Sequence, residues 1–303
     1  MAFSFQPAVL LSTSGTPFPS PTLKQKILEP ILFPPASVNK ENLFRKIQDQ
    51  TILITGASFG IGEELACLLA PSGAQLVLVA RTKEKLDRVA DTVRSLGGKA
   101  HVFALDLCDE LAVRVFLEDL RLAGLQPRIF VNNAGKSIRR SVFKSLDRHH
   151  DFTRTMELNY FAPVQIMLDL IPVMAQRRGQ IINVSSLAVA LLPAPGWAAY
   201  LASKSAFDQW LRSVSPELES KNINSSSLYF PLVRTRMIEP TLFYRTTPAM
   251  SPENDARWIA NAILHEGKRY YPWWSWILIV SGNILCPVWE AILSFQMKRK
   301  PFR

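Results

Sequence analysis

Cysteine is scarce in this chain of 303 residues, and its three copies, Cys67, Cys108 and Cys286, are widely spaced. This spacing provides no disulfide framework, which is consistent with a reducing, cytoplasmic compartment. No group of cysteine, histidine or carboxylate residues has the spacing of a metal site, so we predict no bound metal. The N-terminus also lacks the basic start and the unbroken apolar run of a secretory signal.

Acidic residues are too few to balance the basic ones: 25 stand against 35, which leaves a formal net charge of +10. This excess favours an anionic partner, such as a phosphorylated cofactor, coenzyme A or an anionic membrane surface. We expect no nucleic-acid partner, because no basic-aromatic platform or nucleic-acid motif is recognisable.

A glycine-rich turn follows the first apolar, partly β-branched run. Residues 51–54 have the composition of a buried parallel strand, and helical spacing of apolar residues resumes at Ile61. Glycines let the backbone approach a pyrophosphate, and the N-terminus of the next helix offers free N–H groups. Taken alone, the pattern also fits an ordinary loop. The predicted cofactor contacts in this turn are Gly56, Ser58, Phe59, Gly60, Ile61 and Gly62.

The second predicted strand, Gln75–Ala80, is followed by Arg81 and has no acidic residue at its end. Dinucleotide folds read the adenosine ribose here: a carboxylate accepts from the 2′-hydroxyl of NAD, whereas an arginine accommodates the 2′-phosphate of NADP. A guanidinium can bind phosphate with two hydrogen bonds. We therefore predict NADPH in preference to NADH, with a solvated surface arginine as the alternative.

Tyr200 and Lys204 are four residues apart in a segment of helical character, so their side chains share one face. A phenol has an ordinary pKa of about 10. We expect the nearby ammonium to lower the pKa of Tyr200, so that the phenol can protonate a developing alkoxide as hydride arrives. The same spacing is also found where a packed aromatic lies under a solvated lysine.

Together these features resemble the short-chain dehydrogenase/reductase family over roughly residues 48–271. Residues 55–62 match its TGxxxGIG turn, residues 132–135 match NNAG, and Tyr200 with Lys204 matches YxxxK. Ser186, in preference to Ser185, would be the family's catalytic serine, and Asn159 the asparagine whose water connects Lys204 to solvent. The resemblance also implies further cofactor contacts: Asp106, Leu107, Asn133, Ala134, Gly135, Val233 and Thr235, besides Tyr200 and Lys204 themselves.

Alternating strand and helix patterns predict an α/β fold of the Rossmann type, a doubly wound parallel seven-stranded sheet with helices on both faces. The resemblance implies the strand order 3-2-1-4-5-6-7. We expect a proline-rich N-terminal arm over residues 1–46, in which residues 23–32 could form a short helix. An NADP-binding catalytic domain would follow over residues 47–272, with an apolar segment over residues 273–303.

Two stretches, residues 135–161 and 229–238, are similar to bacterial fatty acyl-CoA reductases of this family. Leu232 is shared with that subgroup, whereas Arg236 replaces the proline expected there. This implies an NADPH-dependent reductase of a lipophilic carbonyl, most specifically of a fatty acyl-CoA to an aldehyde. Arg139 and Arg140 could bind the phosphates of coenzyme A or lie on a solvated face. Ketone–alcohol exchange on a steroid, retinoid or 3-oxoacyl substrate, and a non-catalytic cofactor-binding membrane scaffold, are the alternatives.

Residues 273–295 are mostly apolar, and one helix of this length would run about 34 Å, enough for a hydrocarbon core. Tryptophans at the start and basic residues at the end suit interfacial anchoring to a membrane. Packing over the substrate cleft or in a homo-oligomer is the alternative. Polar or helix-breaking residues argue for an in-plane hairpin over a full span: Gly282, Asn283, Pro287 and Glu290.

Overall fold

The computed structural model describes residues 22–192, 194–238 and 241–299, apart from the side chains of Leu242 and Asn283. Seven parallel strands form one sheet in the order β3-β2-β1-β4-β5-β6-β7. This confirms the predicted doubly wound sheet and its strand order. The strands are β1 Thr51–Thr55, β2 Gln75–Ala80, β3 Lys99–Ala104, β4 Pro127–Asn132, β5 Gln180–Ser186, β6 Asn224–Phe230 and β7 Arg269–Tyr270.

The helices lie on both faces of the sheet, because successive residues of each buried strand point to opposite sides. Ile52 and Ile54 of β1 pack with one helical layer, whereas Leu53 packs with the other. The helices are α1 Leu23–Leu32, α2 Lys40–Ile47, α3 Ile61–Leu69, α4 Lys83–Ser95, α5 Glu110–Leu122, α6 His149–Met156, α7 Ala162–Gln176, α8 Ala198–Ser220, α9 Pro252–His265 and α10 Ser275–Arg299. The first layer contains α2, α3, α4 and α9, and the second contains α5, α7 and α8.

The N-terminal segment packs against the domain along its described length. In α2, Leu43 and Ile47 are fully buried in the core. α1 starts with a capping box, in which Thr22 and Gln25 each accept a hydrogen bond from the other's backbone N–H group. The indole N–H of Trp274, just before α10, donates to the Leu32 carbonyl at the end of α1 (3.0 Å). The end of α1 therefore contacts the segment that leads into α10.

α10 is bent by 82° between its arms Ser275–Gly282 and Ile284–Arg299. The two arms together are apolar and long enough to be a candidate membrane span, as is the stretch His149–Gln176. In the stretch His149–Gln176, however, Ile166 and Met174 are buried in the protein core. A Cβ atom on the buried Gly282 would lie 3.1 Å from Leu192 Cγ, so a glycine allows the helix to approach at the bend. The 34 Å straight helix is thus not formed.

Candidate active site

The glycine turn is held to the end of the neighbouring strand. Thr55, the last residue of β1, accepts hydrogen bonds at Oγ1 from the backbone N–H groups of Asn133 and Ala134, both at 3.1 Å. In return, Asn133 Nδ2 donates to the carbonyl oxygens of Thr55 (3.0 Å) and Gly56 (3.2 Å). The carboxyl ends of β1 and β4 are therefore joined where a Rossmann fold opens its ligand crevice.

Glycine is required at two positions of this turn. Gly56 has a φ of 67°, in the left-handed region. A Cβ atom on Gly62 would lie 2.5 Å from the Gly56 carbonyl oxygen, which is closer than any real side chain comes. The N-cap residue of α3, Gly60, has no side chain, and the Glu63 side chain accepts a hydrogen bond from the Gly60 backbone N–H group. The N–H groups of the first helical turn, which begins at Ile61, can bind the pyrophosphate of a dinucleotide.

Arg81 is exposed immediately after β2, on the same edge of the sheet. A second cation, Arg236, lies with its Cζ atom 4.6 Å from the centre of the Phe59 ring in the glycine turn. The adjacent Thr235 also covers the turn, because its Cγ2 would be 3.0 Å from a Cβ atom on Gly60. This position of Arg236 was not predicted, although its departure from the subgroup's proline was a visible signal in the sequence.

Tyr200 and Lys204 lie on one face of α8, and Ser186 lies at the end of β5. The hydroxyl groups of Tyr200 and Ser186 are linked by a hydrogen bond. The oxygen of the adjacent Ser185 is buried and has no hydrogen-bond partner among the described residues. The geometry therefore favours Ser186 as the serine beside the phenol.

Lys204 is buried, and its Nζ donates to the Val184 carbonyl oxygen at 3.0 Å. Burial lowers the pKa of Lys204 to about 8, while the nearby Asp208 carboxylate acts in the opposite direction. Burial raises the pKa of Tyr200, and the Ser186 hydrogen bond offsets only part of that effect. The expectation that Lys204 lowers the pKa of the phenol is therefore wrong for this structure, because burial dominates and the ammonium points to Val184.

Asn159 is fully buried in a π-helical turn, Glu157–Phe161, that joins α6 to α7. Its Nδ2 donates to the Lys136 carbonyl (3.0 Å) and to Ser203 Oγ (2.9 Å), and its Oδ1 accepts from the Lys136 N–H group (2.9 Å). A Cβ atom on Gly135 would lie 3.4 Å from both Asn159 Oδ1 and Lys204 Nζ. Gly135 thus lies between the Asn159 amide and the Lys204 ammonium and is close to both. Single-turn π-helices of this kind often mark functional positions.

A cavity of about 710 Å³ connects these groups. It is lined by all the predicted site residues except Gly60, Gly62 and Asn159, so the remaining cofactor-binding candidates, including Asp106, Leu107 and Val233, share one space. Much of the cavity wall is apolar. The ring centre of Trp197 lies 5.9 Å from that of Tyr200, and the wall also includes Leu32, Phe33, Tyr244 and Trp274. Leu32, Phe33 and Trp197 were not predicted, because no local motif marks them, whereas the position of Trp274 agrees with the alternative that residues 273–295 pack over the substrate cleft.

Some basic side chains of the stretch around Arg139 and Arg140 are paired with an acidic residue. Arg140 Nε and Arg148 Nε both donate to Asp151 Oδ2, at 2.9 and 3.0 Å. Asp151 is buried, and the two guanidinium groups contribute to lowering its pKa against the effect of burial. The suggestion that Arg140 binds a phosphate of coenzyme A is therefore not supported, since its guanidinium is already paired with a carboxylate.

A parallel sheet that brings a glycine turn, a tyrosine–lysine pair and a serine around one cavity defines a nicotinamide-dependent oxidoreductase. The family model described as short chain dehydrogenase matches residues 50–242. The chain belongs to the short-chain dehydrogenase/reductase family.

Two proteins similar to this chain are named as fatty acyl-CoA reductases. A fatty acyl-CoA reductase of Acinetobacter baylyi is 45% identical over 231 residues, which cover 76% of this chain and 78% of that relative. A fatty acyl-CoA reductase of Mycobacterium tuberculosis is 41% identical over 73% of this chain and 76% of its own length. These relatives give no support to a non-catalytic membrane scaffold.

A solved structure is also similar: the crystal structure of a metagenomic short-chain oxidoreductase in complex with NADP. It has a TM-score of 0.64 and 27% identity, and the match covers 74% of this chain and 96% of that one.

Proposed function

We propose that this protein is an NADPH-dependent reductase of a lipophilic carbonyl, most specifically of a long-chain acyl-CoA to the aldehyde. The observation that carries the proposal is the cavity, whose wall combines the Tyr200–Ser186 pair with apolar side chains that include Phe33 and Trp274. A polar reacting pair and an apolar wall suit a carbonyl attached to a hydrocarbon chain. The names of the two fatty acyl-CoA reductase relatives support the same substrate class.

The residues around the glycine turn fit a phosphorylated dinucleotide. Gly56 and Gly62 let the turn pack closely against itself and the end of β4, which places the start of α3 beside the cavity for a pyrophosphate, and Arg81 is exposed where a 2′-phosphate would lie. Asp106 and Leu107 would contact the adenine, while Val233 and Thr235 would bracket the nicotinamide amide. Bound NADPH would supply the hydride.

Tyr200 would donate its proton to the carbonyl oxygen of the substrate, and the hydroxyl of Ser186 would hydrogen-bond the same oxygen. Burial raises the pKa of Tyr200, which makes the phenol a weaker acid but keeps it protonated, and the developing alkoxide is basic enough to take its proton. Lys204 would hold the ribose of the nucleotide and supply positive charge near the phenol. Asn159, beside Lys204, would complete the route by which the proton is replaced.

Thioester reduction needs no covalent enzyme intermediate. After hydride adds to the carbonyl carbon and Tyr200 protonates the oxygen, the thiohemiacetal re-forms a C=O bond. The C–S bond then breaks, and the sulfur leaves with a proton as the thiol of coenzyme A. The cysteines are poor nucleophiles, because burial raises the pKa of both Cys67 and Cys108 to about 11.

Palmitoyl-CoA tests the proposal directly. Purified protein, NADPH and palmitoyl-CoA should yield one free thiol for each NADPH oxidised, together with hexadecanal. Oxidation of NADPH without release of thiol would exclude thioester reduction. A parallel panel containing a 3-oxoacyl-CoA, a steroid ketone and retinal would then identify a ketone or aldehyde reductase, because those substrates are reduced without breaking a C–S bond.

A further inference from the structure

Two elements beside the cavity expose apolar side chains to the outside. On α1, Leu23, Ile27 and Ile31 follow one another at four-residue spacing, so they form one face, and each is more than half exposed. On α10, large apolar side chains remain exposed along the helix, among them Trp276, Ile284, Val288 and Phe295. Apolar surface of this extent usually marks an interaction site.

The two apolar surfaces are joined. The indole N–H of Trp273 donates to the Ile31 carbonyl oxygen at 3.1 Å, beside the Trp274–Leu32 hydrogen bond. We call Leu23, Ile27 and Ile31, together with the exposed side of α10, the α1–α10 face. The inner sides of the same segments line the cavity through Leu32, Phe33 and Trp274. The α1–α10 face and the apolar cavity therefore lie on opposite sides of the same segments.

The charges around this face are predominantly positive. Lys24 and Lys26 are exposed on α1, and Lys298 and Arg299 are exposed at the end of α10. Within the described residues of these two helices, the acidic side chains are Glu29 and Glu290; Glu29 is turned inward and forms an ion pair with Arg234. The combination of an apolar face and a basic border matches the surface of an anionic bilayer.

We propose that the α1–α10 face inserts into the surface of an anionic lipid bilayer and that substrate enters the cavity from the membrane past Phe33 and Trp274. The docking itself does not depend on the proposed reaction, whereas the route of a lipophilic substrate rests on it. A second copy of the chain is a poorer occupant, because a two-fold contact through the same face would bring like charges together.

Insertion parallel to the surface fits α10 better than a full span. The bend leaves arms of 8 and 16 residues, which are about 12 and 24 Å long, whereas the hydrocarbon core is about 30 Å thick. The longer arm carries the exposed Glu290, whose carboxylate would be costly to bury in hydrocarbon. An interfacial helix keeps such a group near the lipid headgroups.

Vesicle sedimentation tests the docking with the full-length protein and no substrate. We expect binding to vesicles of phosphatidylcholine mixed with phosphatidylglycerol, and weaker binding to phosphatidylcholine alone. Ile27→Glu should weaken binding about tenfold or more, because it removes one inserted side chain and adds a negative charge. The matched control is Leu122→Glu on α5, where the leucine is 77% exposed but lies outside the face; it should bind like the unmodified protein.

The proposal would be overturned if the protein bound neither type of vesicle. It would also be overturned if Ile27→Glu bound vesicles as strongly as the unmodified protein. If the protein did not bind vesicles and light scattering showed a dimer that Ile27→Glu dissociates, the α1–α10 face would be assigned to a second copy of the chain. That result would also overturn the proposal. Since this assay requires no turnover, its failure would leave the reductase function untouched. Conversely, vesicle binding by a protein inactive on palmitoyl-CoA would reject only the reaction.

Discussion

The cofactor half and the substrate half of the cavity are built by different kinds of contact. In the cofactor half, the glycine turn is shaped by its own backbone and by the end of the adjacent β4, as the bonds of Asn133 to Thr55 and Gly56 illustrate. In the substrate half, distant segments meet. Gln25 Nε2 donates to the carbonyl oxygens of Arg245 and Thr247, both at 3.2 Å, across more than 200 residues of sequence.

This difference has a functional meaning. A turn that must admit a pyrophosphate permits few sequences, because a Cβ atom at Gly62 would meet backbone. A wall made from α1, residues 231–238 and 241–250, and the start of α10 can change its side chains while the sheet remains intact. We therefore expect mutations in the cofactor half to affect every substrate, and those in the substrate half to depend on the length of the acyl chain.

The largest expected effect lies where the two halves meet. Tyr200→Phe removes the proposed proton donor and should lower kcat by about 10²- to 10⁴-fold for long and short substrates alike. The dissociation constant for NADPH, measured by fluorescence, should remain the same. Full activity in this variant would contradict the assignment of Tyr200 as the acid.

Tyr244→Phe is the matched control. This tyrosine lines the same cavity and stacks on Trp197 with ring centres 6.2 Å apart, but the proposed reaction does not use its hydroxyl. The stacking remains after the change, so kcat should fall by no more than a few-fold. Equal losses in both variants would mean that the assay reports cavity shape rather than proton donation.

The next largest effect concerns the choice of nucleotide. Arg81→Met should weaken NADPH binding by about 10- to 100-fold, since a charge-assisted hydrogen bond contributes about 1.5–3 kcal/mol. NADH, which has no 2′-phosphate, should be almost unaffected. Lys83→Met on α4 is the control, because Lys83 is exposed and paired with Asp87. Equal losses for both nucleotides in Arg81→Met would remove the argument for NADPH.

The same contrast explains what could be predicted from sequence. The sheet order and the clustering of Gly56, Tyr200 and Lys204 were predictable, because local motifs constrain each strand end and the fold brings those ends together. Phe33 was not, since its place in the cavity depends on contacts between α1 and the segment before α10, and for Trp274 the sequence left packing over the cleft and membrane anchoring as alternatives. The pKa of Tyr200 was also mispredicted, because helical spacing says nothing about burial or about the carbonyl that binds Lys204.

A smaller effect should appear in the pH dependence, and it tests the cofactor half alone. Lys204 with a pKa of about 8 carries its charge below that pH and loses it above. If the charged form holds the nucleotide, kcat/KM for NADPH should fall up to tenfold per pH unit above about 8, whichever acyl-CoA is used. A profile that stays flat to pH 10 would show that the titration of Lys204 does not limit binding.

Asp208→Asn sharpens this test. The Asp208 carboxylate opposes the effect of burial on the pKa of Lys204. Its removal should therefore lower that pKa further and move the decrease in kcat/KM, the falling limb of the profile, to lower pH. Asparagine can still accept the hydrogen bonds that Tyr229 and Ser227 donate to Asp208, which limits the structural change. An unchanged limb would assign the pH dependence to another group.

The smallest expected effect tests the substrate half. Glu29 of α1 accepts hydrogen bonds from the Arg234 guanidinium and, at 3.1 Å, from the Ala249 N–H group, so it links α1 to both residues. Glu29→Gln removes the charge from a partly buried pair and should lower the free energy of unfolding by about 1–2 kcal/mol. KM for palmitoyl-CoA should rise a few-fold, while KM for NADPH and kcat with a short acyl-CoA should not change.

Glu41→Gln provides the comparison for Glu29, because Glu41 pairs with Arg45 on the surface of α2, where both side chains are at least 70% exposed. Such a pair contributes about 0–1 kcal/mol, so urea unfolding should barely distinguish this variant from the unmodified protein. If Glu29→Gln raised KM equally for short and long acyl chains, the N-terminal helix would act on the whole cavity. The division into two independently built halves would then fail, because α1 would also support the cofactor half.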